Sequence, residues 1–166
     1  MGRKITVNLH MSLDGYGDIP EYPGSNVKLA VLDEFRKDMW MSRNDSFDTI
    51  MYGRNSWEGH AQVHALLKIN PADPKFLFDF SKFVEKCEPI VLSNTLEKAA
   101  WWCAKIMKGK LEEIVPMLKS EPGKDIIVDT GPSLAHEFIK NRLADDCRTP
   151  IFPVIPGKAI IIGGQC

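Results

Sequence analysis

The chain has 166 residues, of which 44% are hydrophobic and 26% charged, with a formal net charge of -1. That is the balance of a globular domain large enough to bury a core without disulfides or metal. Charge this small and this evenly spread excludes the concentrated basic face that nucleic-acid binding requires, and no stretch has the length of a membrane span.

Met1-Gly2-Arg3-Lys4 leads directly into an apolar run with no leader pattern, so the expectation is a cytoplasmic protein. The run Ile5 to His10 reads as a first strand. Asp14-Gly15-Tyr16-Gly17 breaks it, and Pro20 and Pro23 prolong the loop. Ser25 can cap a helix from about Asn26 to Met41. Phe47 to Tyr52 reads as a second strand ending at Gly53, followed by a short helix from Arg54 to His60. After a Pro- and Asp-rich loop at Asn70 to Pro74, Phe76 to Lys86 has the spacing of an amphipathic helix. Pro89 to Ser93 is a third strand and Trp101 to Ile106 a fourth. Leu111 to Lys119 is a helix that must accommodate Pro116. Asp125 to Asp129 is a buried strand, Pro132 to Asn141 a helix, and Arg148 to Ile155 a strand interrupted by Pro150 and Pro153 at an edge or bulge.

Strands alternating with helices predict a largely parallel sheet covered on both faces. Ligands of such sheets bind outside the carboxyl ends of the strands, here His10, Gly53, Ser93 and Asp129. Two of these ends have the chemistry of an anion site. Ile126-Ile127-Val128 runs through Asp129 into Thr130-Gly131-Pro132-Ser133-Leu134. Pro132 suits a first helical position, Gly131 admits close backbone approach, and the amides of Ser133 and Leu134 lack intrahelical partners. An ordinary strand-to-helix turn would look the same. Gly53-Arg54-Asn55-Ser56-Trp57 repeats the arrangement and adds a cation able to hold phosphate bidentately; a surface salt bridge is the competing reading of Arg54.

Four further features carry less. Ser12-Leu13-Asp14-Gly15 is a turn placed where a loop could close over a ligand. Ser93-Asn94-Thr95 is polar, and Thr95 could equally cap a helical segment starting near Leu96. His60 and His64 are four residues apart, as on a metal-binding helix face, but no third ligand is near in sequence, and no metal is expected. Asp129 is a carboxylate at the end of a buried strand, a costly place unless it is paired or serves a site. The four cysteines, Cys87, Cys103, Cys147 and Cys166, show no metal or disulfide pattern and read as free thiols in a reducing compartment.

The segment Asp48 to Glu58, DTIMYGRNSWE, resembles the strand-and-GRx(T/S)(W/Y)E segment of dihydrofolate reductases and their relatives. Val128 to Ala135, VDTGPSLA, resembles the glycine-rich segment in the reductase domain of the bifunctional riboflavin-biosynthesis deaminase-reductase (the RibD C-terminal domain). Asn141 to Asp146, NRLADD, and the SLDG of Ser12 to Gly15 resemble further motifs of that family, and the four occur in its order. The resemblance implies one α/β domain over residues 1–166, with a three-layer αβα dihydrofolate-reductase-like fold around a mostly parallel sheet. It implies hydride transfer from NADPH to a small molecule by a homodimer.

By the same resemblance, Gly53, Arg54, Asn55 and Ser56 would face the cofactor phosphates and Ser93 and Asn94 the adenosine ribose. Thr130, Gly131, Pro132, Ser133 and Leu134 would hold the pyrophosphate, with backbone groups of His10 and Gly17 at the nicotinamide carboxamide. Asp129 and Asp14 would lie on the substrate side as the catalytic candidates. The sequence departs from the pattern at four places. Thr130-Gly131 replaces a double glycine whose peptide bond is cis in the family, Asn94 replaces a frequent basic residue, the W-x-x-P-x-D/E helix motif of dihydrofolate reductases is missing, and residues 158–166 cannot supply both of the family's last two strands. The last point predicts either an edge covered by a partner chain or a compromised protein. The function implied is that of an NADPH-dependent reductase like 5-amino-6-(5-phosphoribosylamino)uracil reductase. A reductase acting on a pterin, and a nucleotide-binding relative without catalysis, are the alternatives.

Overall fold

The computed structural model describes residues 2–17, 44–67, 75–99, 102–152 and 155. The predicted helix from Asn26 to Met41, the loop around Asn70 to Pro74 and the segment from 156 onward lie outside the described residues. In chain order the elements are β1 (Ile5–Asn8), β2 (Met11–Ser12), a short 3-10 turn (Asn44–Ser46), β3 (Phe47–Gly53), α1 (Arg54–Leu67), α2 (Lys75–Lys86), β4 (Glu88–Leu92) and β5 (Lys105–Met107). They continue with α3 (Leu111–Ser120), β6 (Asp125–Asp129), α4 (Pro132–Lys140), β7 (Asp146–Arg148) and β8 (Ile151–Phe152).

Six strands form one sheet in the order β5-β4-β3-β6-β1-β7, and every neighbouring pair is parallel. The central strand β6 is Asp-Ile-Ile-Val-Asp, with Ile126, Ile127 and Val128 at 0–1% exposure, as expected of a strand covered on both faces. Alternation along the strands divides the core in two. Ile5, Val7, Met51, Ile90, Ile126 and Val128 pack against α3 and α4 through Ile114, Val115, Leu118, Ala135 and Phe138. Ile50, Tyr52, Val91 and Ile127 face the other way, against Trp57 of α1 and Phe83 and Val84 of α2. The three layers predicted from the sequence are therefore present, with α1 and α2 on one face and α3 and α4 on the other.

Several boundaries differ from the sequence reading for identifiable reasons. α1 runs past His60 to Leu67 because Ala61 to Leu67 contains no breaker, and Gly59 sits where an added Cβ would meet nothing. The fourth strand begins at Lys105 rather than Trp101, since Trp102 and Cys103 adopt left-handed backbone (φ 58° and 48°) and make a turn. The last strand divides into β7 and β8 around Pro150. That proline has no amide to donate, and its carbonyl accepts from Met11 at 2.9 Å, so β2 and β8 continue the pairing of β1 with β7. α3 runs through Pro116 without ending.

At the amino ends of the strands, Arg3 is 6% exposed and links three elements. Its guanidinium donates to Asp48, to the Thr49 hydroxyl and, through Nε, to the Lys124 carbonyl at 2.5 Å. The β3–β6 register shifts at Asp48, which frees this carboxylate to accept from the Lys124 amide at 2.7 Å. This network fixes β3 beside β6, the pair whose opposite ends form the site.

Candidate active site

β3 and β6 are neighbours, yet the helices that come after them leave to opposite faces of the sheet: α1 packs with Ile127 and Tyr52, α4 with Val128 and Met51. Such a divergence opens a crevice at the carboxyl ends of the two strands. A cleft of about 570 Å³ lies there. It is walled by Gly53 to Ser56 on one side and by Thr130 to Leu134 on the other, with Gly17, Leu92 and Glu137 at its margins.

Both helices begin at the cleft, so both positive dipole ends converge on it. Neither first turn contains an acidic side chain. Gly131 precedes α4 in extended backbone, Pro132 is its first residue, and no side chain caps its amides. The two turns are joined directly: Ser56 Oγ accepts the Gly131 amide at 3.0 Å. Gly53 forms the base, where an added Cβ would stand 3.2 Å from Leu134 Cδ2 and 3.3 Å from Thr130 Oγ1. Arg54 lies along the rim, half exposed, with Nε donating to Glu58 at 2.8 Å and Nη1 to Thr95 Oγ1 at 3.2 Å. The Thr130–Gly131 peptide is trans, not the cis bond of the family pattern.

The residues marked in the sequence fall into four groups, the last being Asp129 with His10. Gly17, Gly53, Arg54, Asn55, Ser56, Thr130, Gly131, Pro132, Ser133 and Leu134 come together around the cleft. Ser93 and Asn94 sit in the loop after β4, where they order the backbone: Ser93 Oγ accepts the Leu96 amide at 3.1 Å and Asn94 Oδ1 the Gly109 amide at 2.8 Å. Asp14 is exposed in the turn after β2, held by the Ser12 hydroxyl at 2.5 Å, and Gly15 takes a positive φ of 85° there.

Asp129 points to the α1 face of the sheet, on the same side as Ile127. It is 5% exposed and both its oxygens are engaged. Oδ1 accepts from Asn8 Nδ2 at 3.0 Å, and Oδ2 lies 3.1 Å from His60 Nε2. Burial pushes the Asp129 carboxyl up, but the hydrogen bond and charge of His60, the nearby His10 and the Asn8 amide outweigh it, and the net direction is down. His10 comes after β1, with Nε2 3.4 Å from Asn8 Nδ2. The Tyr52 ring packs 5.0 Å from that of His60, and its fully buried hydroxyl has no partner among the described residues. Burial, with the Asp129 charge beside it, holds the phenol well above its ordinary range, so it stays protonated.

His60 is thus part of the polar cluster at the strand ends, a role the sequence reading missed. The His60–His64 spacing pointed toward metal, but His60 Nε2 is committed to Asp129, and the His64 side chain lies outside the described residues. The useful signal was the spacing of four between Ser56 and His60. It puts both on one face of α1, one against Gly131 and the other against Asp129.

The sequence profile of the RibD C-terminal domain matches residues 3–165. The Bacillus subtilis protein YyaP, described as uncharacterized, is 32% identical over 157 residues, covering 94% of this chain and 78% of YyaP. A putative riboflavin biosynthesis protein from Shewanella sp. PV-4 superposes with a TM-score of 0.62 at 21% identity, over 99% of this chain and 84% of that one. Acinetobacter baumannii RibD gives 0.56 at 14% identity over 99% of this chain, which spans half of that protein. Enterococcus faecalis dihydrofolate reductase, solved in complex with NADP(H) and RAB-propyl, gives 0.56 at 13% identity, over 98% and 77% of the two chains. Among the described residues, no helix is long and apolar enough to cross a membrane.

Proposed function

This chain belongs to the RibD C-terminal domain family, and we propose that it is an NADPH-dependent reductase of a small cytoplasmic metabolite, acting as one domain and as a homodimer. The observation that carries the reading is the convergence of two helix amino termini, α1 and α4, on one cleft whose first turns hold no acidic residue. That is an electrostatic seat for two linked phosphates. A cavity of about 570 Å³ suits a nucleotide-sized ligand. The glycines at positions 53 and 131 let the chain approach it without side chains intervening.

In this reading the amides of Ser133 and Leu134 and the first turn of α1 hold the pyrophosphate. Arg54 supplies the compensating charge at the rim, Ser93 and Asn94 lie toward the adenosine ribose, and His10 and Gly17 orient the nicotinamide. The bound dihydronicotinamide would supply a hydride; the protein supplies position, a closed floor and a proton. The substrate side is the cluster at the α1 face, Asp129, His60, Asn8 and His10, with Asp14 on the neighbouring turn.

The favoured substrate is 5-amino-6-(5-phosphoribosylamino)uracil. The presence of Asp129 and the missing pterin-helix motif favour it over dihydrofolate. The test is NADPH oxidation followed at 340 nm with each compound in turn. Oxidation with the ribosylamino-pyrimidine alone is expected. Oxidation with dihydrofolate alone would reassign the substrate, and binding of NADPH without oxidation by either would support the non-catalytic relative.

A further inference from the structure

The turn between β6 and α4 has fewer open backbone donors than its sequence suggests. The Thr130 amide donates to the Asn8 carbonyl at 3.4 Å, which carries the β1–β6 pairing one residue further. The Gly131 amide donates to Ser56 Oγ at 3.0 Å. Pro132 has no amide to give. From Thr130 through Pro132, therefore, the main chain keeps no donor for a ligand.

One side chain in that stretch can supply it. Thr130 is 8% exposed and borders the cleft. Its Oγ1 is turned toward the opposite wall, where a Cβ placed on Gly53 would stand 3.3 Å from it. Among the described residues this oxygen makes no hydrogen bond. A hydroxyl buried so far without a partner is a cost to the fold. Gly53 leaves it uncovered, since any side chain there would press on both Oγ1 and Leu134 Cδ2. As a β-branched residue, Thr130 also holds its hydroxyl in a narrow range of directions.

The surroundings decide what meets it. Two helix amino termini converge on the cleft, and neither first turn has an acidic side chain. An O–H donor in such a field is matched by an anionic oxygen. We propose that the Thr130 hydroxyl is a phosphate-binding group, donating its hydrogen to one non-bridging oxygen of the pyrophosphate and filling the gap in the row of donors between Asp129 and Ser133. This deepens the NADPH reading above and rests on it. It also assigns a role to the threonine that stands where the family pattern has glycine: the side chain supplies the donor that the committed amides of residues 130 and 131 do not.

The experiment compares the full chain with Thr130→Val and Thr130→Ser. Valine has the same shape without the donor, and serine keeps the donor without the branch that directs it. Ligand-free Thr130→Val is expected to unfold at the wild-type temperature or above it, because the hydroxyl it loses has no protein partner. Its NADPH affinity, read by cofactor fluorescence, should fall about tenfold, the loss of one charge-assisted hydrogen bond. Thr130→Ser should bind NADPH within about threefold of wild type. Phosphorus NMR of bound NADPH separates the pyrophosphate signals from that of the ribose phosphate. Thr130→Val should shift the first and leave the second in place.

A Thr130→Val protein that binds NADPH as wild type does overturns this assignment alone. So does one whose ligand-free unfolding temperature drops, since the hydroxyl would then hold the fold together, and so does a shift confined to the ribose phosphate. A wild-type protein without saturable NADPH binding removes the cofactor reading and this assignment together.

Discussion

Ser56 Oγ accepts the Gly131 amide at 3.0 Å, tying the first turn of α1 to the residue that opens α4. The bond crosses the cleft between helices on opposite faces of the sheet, and so sets the spacing of the two amino termini. It also satisfies the Gly131 amide; in the proposed function the amides of Ser133 and Leu134 meet the ligand. Ser56→Ala should lower stability by about 1 kcal/mol, the typical net worth of one such bond. It should also weaken NADPH by severalfold, because the seat loses its fixed width. Thermal unfolding and cofactor fluorescence measure the two effects separately.

Gly131 offers the complementary test. Its φ of -76° is open to any residue, and an added Cβ would lie 3.9 Å from Ser56 Oγ, an ordinary contact. Gly131→Ala should therefore fold with a loss under about 1 kcal/mol, from the poorer helix cap alone. Its methyl group would intrude on the seat, and NADPH affinity should drop about tenfold, equivalent to roughly 1.4 kcal/mol. Unchanged affinity in a folded Gly131→Ala protein would move the phosphates elsewhere.

Asp129 makes a prediction about acid. Its carboxyl is held below its ordinary value: burial opposes, but His60, His10 and Asn8 prevail. A group lowered on folding stabilises the native state fully above the unfolded value, near 3.9, and that contribution disappears as pH falls through the folded value. Asp48 and Asp145 add in the same direction. For Asp48, burial is offset by the Lys124 amide, Thr49 and Arg3; for Asp145, by Lys119 and the Ile5 amide. Wild-type stability should therefore fall steeply below about pH 4. Asp129→Asn should be less stable at pH 7 yet less dependent on pH below 4, as denaturant midpoints across that range would show.

The cysteines divide by environment. Burial pushes the Cys87 thiol up to about 12, with the Asp48 charge adding to it, so it remains a thiol at any working pH. Cys103 and Cys147 are exposed. A thiolate-directed reagent at pH 8 should modify Cys103 and Cys147 within minutes while leaving Cys87 unmodified until the protein unfolds. Site-resolved mass spectrometry distinguishes them, and rapid labelling of Cys87 in folded protein would contradict the packing of α2 against β4.

The sheet was readable in the sequence because its central strand announces itself. Three consecutive β-branched residues at 126 to 128 run into Thr-Gly-Pro, and only a buried strand entering a helix fits that order. The cleft was readable for the same reason, since Gly53-Arg54 repeats the strand-to-helix pattern. The His60–Asp129 pair was not. Finding it requires knowing that Asp129 shares a face with Ile127, and that α1 rather than α4 covers that face, which is a fact of topology. The turn at Trp102 and Cys103 was hidden as well, because two large residues in left-handed backbone leave no local signature.

The most direct test of the central claim is a fluorescence titration of the purified protein with NADPH and with NADH, repeated with Arg54→Ala. The account predicts saturable NADPH binding at the cleft, weakened about tenfold or more by loss of the Arg54 charge-assisted contacts. Absence of saturable binding of either cofactor at millimolar concentration would contradict it.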